Sequence, residues 1–76
     1  MIRELDRVVL EKDVPEYGLE RGDIGTAVLI HEDGEAFEVE FATLDGETVA
    51  VVTVTKSEVR PVRGGEIPHA RDLAAA

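Results

Sequence analysis

Apolar and polar residues alternate along five short runs of the chain, and turn-forming residues separate these runs. The clearest run covers residues 36–43, in which Phe37, Val39 and Phe41 alternate with glutamates. Alternation with a period of two places one set of side chains on a buried face and the other set in water. A shift by one residue would bury the glutamates, so we expect the register of this strand to be fixed.

Each of the five runs ends at residues that suit a turn. Pro15 cannot donate a ladder hydrogen bond and marks the end of the first strand. Asp33-Gly34 and Asp45-Gly46 each separate two apolar runs, and Asp-Gly favours tight hairpins with type I′ turns. The predicted strands are Arg7–Glu11, Ile24–His31, Ala36–Thr43, Glu47–Thr55 and Val59–Val62.

The fourth and fifth runs differ in the position they predict within a sheet. The run 47–55 carries apolar residues on both faces, which predicts a central strand that is covered on both sides or bent across a barrel. Pro61 makes the last strand an edge or terminal strand. Exposed edges at Arg7–Glu11 and Val59–Val62 would allow two copies to pair, so the expected oligomeric state is a monomer or a weak dimer.

The order of these elements predicts an all-β fold, a small five-stranded SH3-like barrel formed by residues 1–63. An oligonucleotide-binding barrel is the rival architecture, but it usually has a helix between its third and fourth strands. Here Asp45-Gly46 joins those strands tightly. Residues 64–76 begin with a Gly64-Gly65 break and have Pro68 at a plausible first helical position, so they predict a flexible tail or a short helix formed on docking.

The composition supports one small β domain. The chain has 76 residues and no cysteine, and valine, which suits a pleated surface, is its commonest apolar residue. The net charge of −9 disfavours nucleic-acid binding and fits a partner protein with a basic face, although it also serves solubility. No run resembles a membrane span or a signal peptide, so we expect no membrane contact and a cytoplasmic location.

Glycines and acidic residues supply the candidate sites. The spacing of Gly18, Gly22 and Gly25, with a strand following, does not match a dinucleotide-binding fingerprint. Gly22 and Gly25 are therefore predicted to allow positive φ angles and close approach of the backbone. Gly34 and Gly46 are predicted to allow the hairpin turns. The candidate partner-binding residues are Tyr17, Leu19, Glu38, Glu40, Asp45 and Glu47.

Each of these candidates also has a purely structural interpretation. Tyr17 could instead pack over the open end of the barrel, with its hydroxyl on a loop carbonyl. The carboxylates could form a solvated face, meet a basic partner or, least in keeping with the pattern, bind a cation. His31 is expected to bond a turn carboxylate, and His69 stands far from it. Two histidines far apart in sequence and no cysteine disfavour a metal site, and Ser57, the only serine, lies in the connector before the last strand. We therefore expect no catalysis, no metal and no cofactor.

Several short motifs resemble a family of small bacterial proteins that are catalogued as a domain of unknown function. The family pattern has a D-x-V start and P-E-x-G-L, G-D-x-G-T-V, E-V-E-F and V-T-V segments. The likeness covers residues 5–62, and this chain has Ala27 inserted in the third segment. The resemblance implies an SH3-like fold without an established enzymatic activity. The turn around Gly25 is also similar to that of KOW-type barrels in transcription and ribosomal proteins.

Three functions are compatible with these features. The first is a non-catalytic module whose acidic barrel docks a basic partner protein, as small antitoxins and immunity proteins do. The second is an accessory subunit that stabilises a larger enzyme. The third is a KOW-like barrel associated with nucleic acid or ribosomes. This last function would need a local basic stripe, and its candidate residues are Arg7, Arg21, Arg60 and Arg63.

Overall fold

A computed structural model describes residues 1–73, whose five strands form one antiparallel sheet that bends into a small SH3-like barrel. A single turn of 3₁₀ helix, Pro15–Tyr17, lies in the first loop, and Glu32–Gly34 form a left-handed turn between β2 and β3. The predicted all-β fold is confirmed. The strands are β1 (Arg7–Leu10), β2 (Ile24–His31), β3 (Ala36–Ala42), β4 (Thr48–Thr55) and β5 (Val59–Pro61).

The strand order is β4-β3-β2-β1-β5, and it corrects two expectations about edges. The fourth strand is not central: β4 lies at one edge of the sheet, where its inner residues Ala50 and Val54 are buried and Val51 stays exposed. Valine on both faces therefore reflects β propensity rather than burial on both sides. The first strand is not an edge, because β1 pairs with both β2 and β5. The expected edge position of β5 is confirmed.

The core forms on the inner face of the sheet, where β3 contributes the residues that alternation predicts. Phe37, Val39 and Phe41 are all buried. In the register of β3 with β4 they lie opposite Val54, Val52 and Ala50, respectively. Directly opposed side chains share a face, so this register buries the two phenylalanines against valine and alanine. Further buried residues are Ile2, Val8, Val9, Leu10, Val14, Leu19, Ala27 and Val59.

The first hairpin is wider than a type I′ turn. His31 pairs with Ala36, so the loop has four residues instead of the two that were expected. Glu32, Asp33 and Gly34 all have positive φ, of 51°, 56° and 94°. The second hairpin turns through residues 44–46, and the backbone N–H of Thr43 donates to the carbonyl of Glu47 at 2.8 Å.

The tail returns along the barrel without forming a helix in the part that is described. Residues 64 and 65 make a turn, and residues 66–73 have irregular backbone. Arg71 donates hydrogen bonds to Asp23, 48 residues earlier in the chain. The short helix proposed from Pro68 is therefore not adopted in residues 64–73, and the rest of that predicted segment, 74–76, lies outside the described residues.

Candidate functional site

The loop between β1 and β2 has one well-defined shape. The backbone N–H of Val14 donates to the carbonyl of Leu19 at 2.8 Å, and the N–H of Leu19 donates back at 3.1 Å. Both side chains are buried in the core. Leu19 therefore lies inside the barrel instead of on a partner-binding surface. Tyr17, between them in the 3₁₀ turn, is about half exposed and remains available to a partner.

Gly22 and Gly25, which border the start of β2, meet different backbone demands. Gly22 has a φ of 96°, a conformation that other residues rarely adopt. Gly25 has an ordinary φ but no space, because a Cβ atom there would lie 2.6 Å from Cγ1 of Val39 and 2.8 Å from Cε1 of Phe41. Gly25 is thus needed for the close packing of β2 on β3.

The candidate glutamates of β3 lie on the outer face of the sheet, where neighbouring strands supply donors. Nε2 of His31 lies 2.8 Å from Oε2 of Glu38, and Oγ1 of Thr53 donates to the same oxygen at 2.8 Å. The hydrogen bond to His31 lowers the pKa of Glu38, and the hydrogen bond to Thr53 makes a smaller contribution in the same direction. Oγ1 of Thr48 donates to Oε2 of Glu40 at 2.6 Å. The partner of His31 is thus a strand residue and not the turn carboxylate that was expected.

Asp45 and Glu47 lie in the turn that joins β3 to β4. The hydroxyl of Thr43 donates to Asp45 and accepts from the backbone N–H of Glu47 at 3.0 Å. The four acidic candidates therefore extend from the turn along one strand instead of converging on one point. Within residues 1–73, no group of three or more histidine or acidic side chains is arranged to hold a metal ion.

Two exposed apolar residues complete this outer face. Leu29, 44% exposed, lies opposite Glu38, and Val51, 51% exposed, lies opposite Glu40. Sequence reasoning missed Leu29 because it belongs to a continuous apolar run, in which a bulge between Ala27 and Leu29 shifts the alternation. We call Leu29, Glu38, Glu40, Val51 and Thr53 the outer face.

Half of the basic residues of the chain gather elsewhere. Two adjoining grooves, of about 230 and 410 Å³, share Val9, Gly22 and Arg60 among their lining residues. Arg60 is paired with Glu66 at 2.7 Å and lies 3.7 Å from Glu11. The arginines that line one or both grooves are Arg7, Arg21, Arg60 and Arg63. These arginines lie far apart in the sequence, and the pairing of β1 with β5, together with the first loop, brings them to the two adjoining grooves.

The first loop also receives an arginine from the tail. Arg71 donates from Nε to Oδ1 of Asp23 at 2.9 Å, donates from Nη2 to Oδ2 of Asp23, and reaches the carbonyl of Gly18 at 2.9 Å. Nη1 of Arg71 lies 3.7 Å from Oε2 of Glu20. We call Gly18, Glu20 and Asp23 the arginine cradle. Sequence reasoning missed it because the contact joins residues 48 and 53 positions apart.

Burial of the carboxylate would raise the pKa of Asp23. The hydrogen bonds from Arg71 and from the backbone N–H of Glu20 outweigh that effect and hold the pKa below its ordinary value. At the other end of the tail, the hydrogen bonds from Arg60 and from the backbone N–H of Arg63 lower the pKa of Glu66 to about 2. Both ends of the tail are therefore attached through ionised carboxylates.

Comparison with protein families identifies a family that matches most of the chain. The family described as "Domain of unknown function (DUF4926)" matches residues 4–61 of the chain. The chain belongs to this family. Comparisons with curated proteins and with solved structures give no match.

The match defines what lies inside the DUF4926 domain and what lies beyond it. Residues 4–61 include the arginine cradle and the outer face, and they end with β5. Glu66 and Arg71 lie after the matched region, so the residue that occupies the cradle comes from outside the domain. Among residues 1–73, no helix of the DUF4926 chain is long and apolar enough to cross a membrane.

Acid is expected to release the tail from the DUF4926 domain. Asp23 and Glu66 have lowered pKa values when the tail is docked, so their contribution is complete above the ordinary carboxyl values of 3.8 and 4.5. It is lost as the pH falls through the lowered values, which for Glu66 means about pH 2. The amide NMR signals of Gly18 and Leu73 should report this release between neutral pH and about pH 2.

The control is the Arg71→Gln variant, whose Gly18 signal should resemble the released form already at neutral pH. Release in the unaltered chain at a pH well above 4.5, or a Gly18 signal that responds equally in both proteins, would contradict the assignment.

Proposed function

We propose that this protein is a non-catalytic binding module whose outer face docks a basic partner protein in the bacterial cytoplasm. Neutralisation of a partner enzyme, in the manner of an antitoxin or immunity protein, is one concrete form of this function. The observation that carries the proposal is the mixed acidic and apolar character of the outer face, in a chain of net charge −9.

The outer face combines two features that favour recognition of a basic protein. Glu38 and Glu40 lie on β3 within a network of hydroxyl and imidazole donors, which holds both side chains in defined positions. Leu29 and Val51 are apolar and exposed beside them. Acidic groups speed the encounter with a basic surface, whereas desolvated apolar contacts supply much of the affinity.

The test is affinity purification of the full chain from its native lysate at low and high salt, with mass spectrometry of the bound proteins. We expect a basic protein that is lost at high salt, because exposed charge pairs are screened. The double variant Glu38→Lys/Glu40→Lys should lose this protein. The matched control Glu4→Lys/Glu16→Lys changes the net charge equally at exposed positions elsewhere and should retain it.

A second double variant separates docking from folding. Leu29→Ser/Val51→Ser alters the apolar part of the outer face without changing the charge, and urea unfolding can show that each variant is folded. Loss of the basic protein in both outer-face variants, with retention in the control, supports the proposal. Equal binding by all folded variants, or no basic protein in the eluate, would refute it.

The other two functions predict different results. An accessory subunit would co-purify in fixed stoichiometry without inhibiting its enzyme, which distinguishes it from an antitoxin-like protein. Nucleic-acid binding is favoured by the four arginines at the adjoining grooves, although Glu11 and Glu66 partly neutralise Arg60. RNA or ribosomal proteins in the eluate would favour this function over basic-partner docking.

A further inference from the structure

The arginine cradle holds a complete set of acceptors for one guanidinium group. Asp23 accepts two hydrogen bonds from Arg71, the carbonyl of Gly18 accepts a third, and Glu20 adds a second negative charge nearby. The side chain of Asp23 is only 20% exposed. A carboxylate whose two oxygens accept hydrogen bonds from two nitrogens of one guanidinium favours arginine over lysine, because only arginine has this planar pair of donors.

Hydrogen bonds inside the domain hold the cradle in place without help from the tail. The backbone N–H of Glu20 donates to Oδ2 of Asp23 at 2.8 Å, and the N–H of Asp23 donates to the carbonyl of Glu20 at 3.0 Å. The carbonyl of Asp23 accepts from Leu10 of β1 at 2.8 Å. The acceptors therefore keep their positions when the arginine leaves, which reduces the ordering required of an incoming ligand.

The tail that fills the cradle is held by few contacts. Residues 64–70 are all exposed, and the Gly64-Gly65 turn gives their backbone freedom. The attachments include the ion pairs of Arg71 and Arg60 and the hydrogen bond from Arg71 to the carbonyl of Gly18. Ile67 and Pro68 line the groove beside β1, and Leu73 is partly buried, with Cδ2 3.9 Å from the position of a Cβ atom at Gly18. An external segment can compete with this tail when it offers an arginine of its own, because it then remakes the bidentate pair with Asp23 that the departing Arg71 gives up.

We propose that the arginine cradle is a second binding site, which takes an arginine from an extended segment of a partner protein. The preferred segment carries an apolar residue two positions after the arginine, as Arg71 and Leu73 do in the tail. The tail is then an intramolecular competitor that occupies the site until the partner arrives. A partner is favoured as the occupant because the cradle lies inside the family domain, whereas Arg71 lies beyond it.

The test uses full-length chains and a free peptide with the sequence of residues 66–73 as the probe. The Arg71→Gln variant, whose cradle is vacated, should bind this peptide with perturbation of the Gly18, Glu20 and Asp23 amides in NMR spectra. The unaltered chain should bind it about tenfold more weakly, because its own tail competes at a millimolar effective concentration. A peptide with glutamine in place of the arginine should not bind either protein.

The double variant Arg71→Gln/Asp23→Asn should lose the peptide while keeping the urea unfolding midpoint of Arg71→Gln. Absence of peptide binding to Arg71→Gln at several millimolar, or equal affinity for both chains, would overturn the proposal. The proposal would also be overturned if analytical ultracentrifugation showed the unaltered chain as a dimer and the Arg71→Gln variant as a monomer. A second copy would then supply the arginine. None of these results depends on the outer face, so the docking function there is tested separately.

Discussion

Replacing Gly25 with alanine is expected to lower the free energy of unfolding by about 3 kcal/mol, the upper part of the usual range for overpacking. The added Cβ atom would lie 2.6 Å from Cγ1 of Val39 and 2.9 Å from the backbone carbonyl oxygen of Glu40. The carbonyl is part of the β3 backbone and cannot rotate away as a side chain can. Relief of the clash therefore requires the two strands to move apart. Urea unfolding followed by circular dichroism would measure the change.

Gly64→Ala is the matched control for this substitution. Gly64 does not have a positive φ, and no atom lies within 4 Å of the position that its Cβ would take. Its replacement should change the unfolding free energy by less than about 0.5 kcal/mol. A Gly25→Ala protein as stable as the control would mean that β2 and β3 do not pack as closely as described.

The second large effect is expected from Leu10→Ala, which should destabilise the protein by about 2–5 kcal/mol. Leu10 is among the largest fully buried side chains, with 0% exposure. Its removal leaves a cavity at the point where β1, β5 and the first loop meet. For a domain of this size the free energy of unfolding is only about 4–11 kcal/mol, so the variant should lose a large share of that stability.

The same chemical change at Leu44 provides the comparison. Leu44 is 94% exposed in the turn between β3 and β4, so Leu44→Ala removes the same atoms without opening a cavity. We expect its urea midpoint to stay close to that of the unaltered chain. Similar losses in the two leucine variants would refute the assignment of Leu10 to the core.

The strands were predictable because local signals carry most of the information about them. The alternation around Val39 determines both the existence of β3 and the face that it buries. The sheet order was less accessible, because valine at Val51 and at Val52 looks alike in sequence although only one of them faces the core side. Pro61 gave a local signal for the edge position of β5, but the positions of β1 and β4 depend on long-range pairing that no local pattern encodes.

The same difference between local and long-range signals explains which residues of the candidate site could be predicted. Glu38 and Glu40 could be placed on a polar face, because the same alternation that buries Val39 exposes them. Leu29 could not be assigned to that face, since the bulge before it reverses the alternation of β2. No local pattern indicated a role for Arg71, because its partner is the carboxylate of Asp23, 48 residues earlier in the chain.

The edge position of β4 has a consequence for the behaviour of concentrated solutions. Residues 48–55 contain only valine, threonine and alanine, with no charge, proline or glycine, and among residues 1–73 no strand pairs with the outer side of β4. Uncharged β-branched segments of this kind are the usual nuclei of amyloid-like stacking. Glu47 and Lys56 flank the segment as charged gatekeepers. Copies of this acidic chain also repel one another, which further protects β4 from pairing with β4 of a second copy.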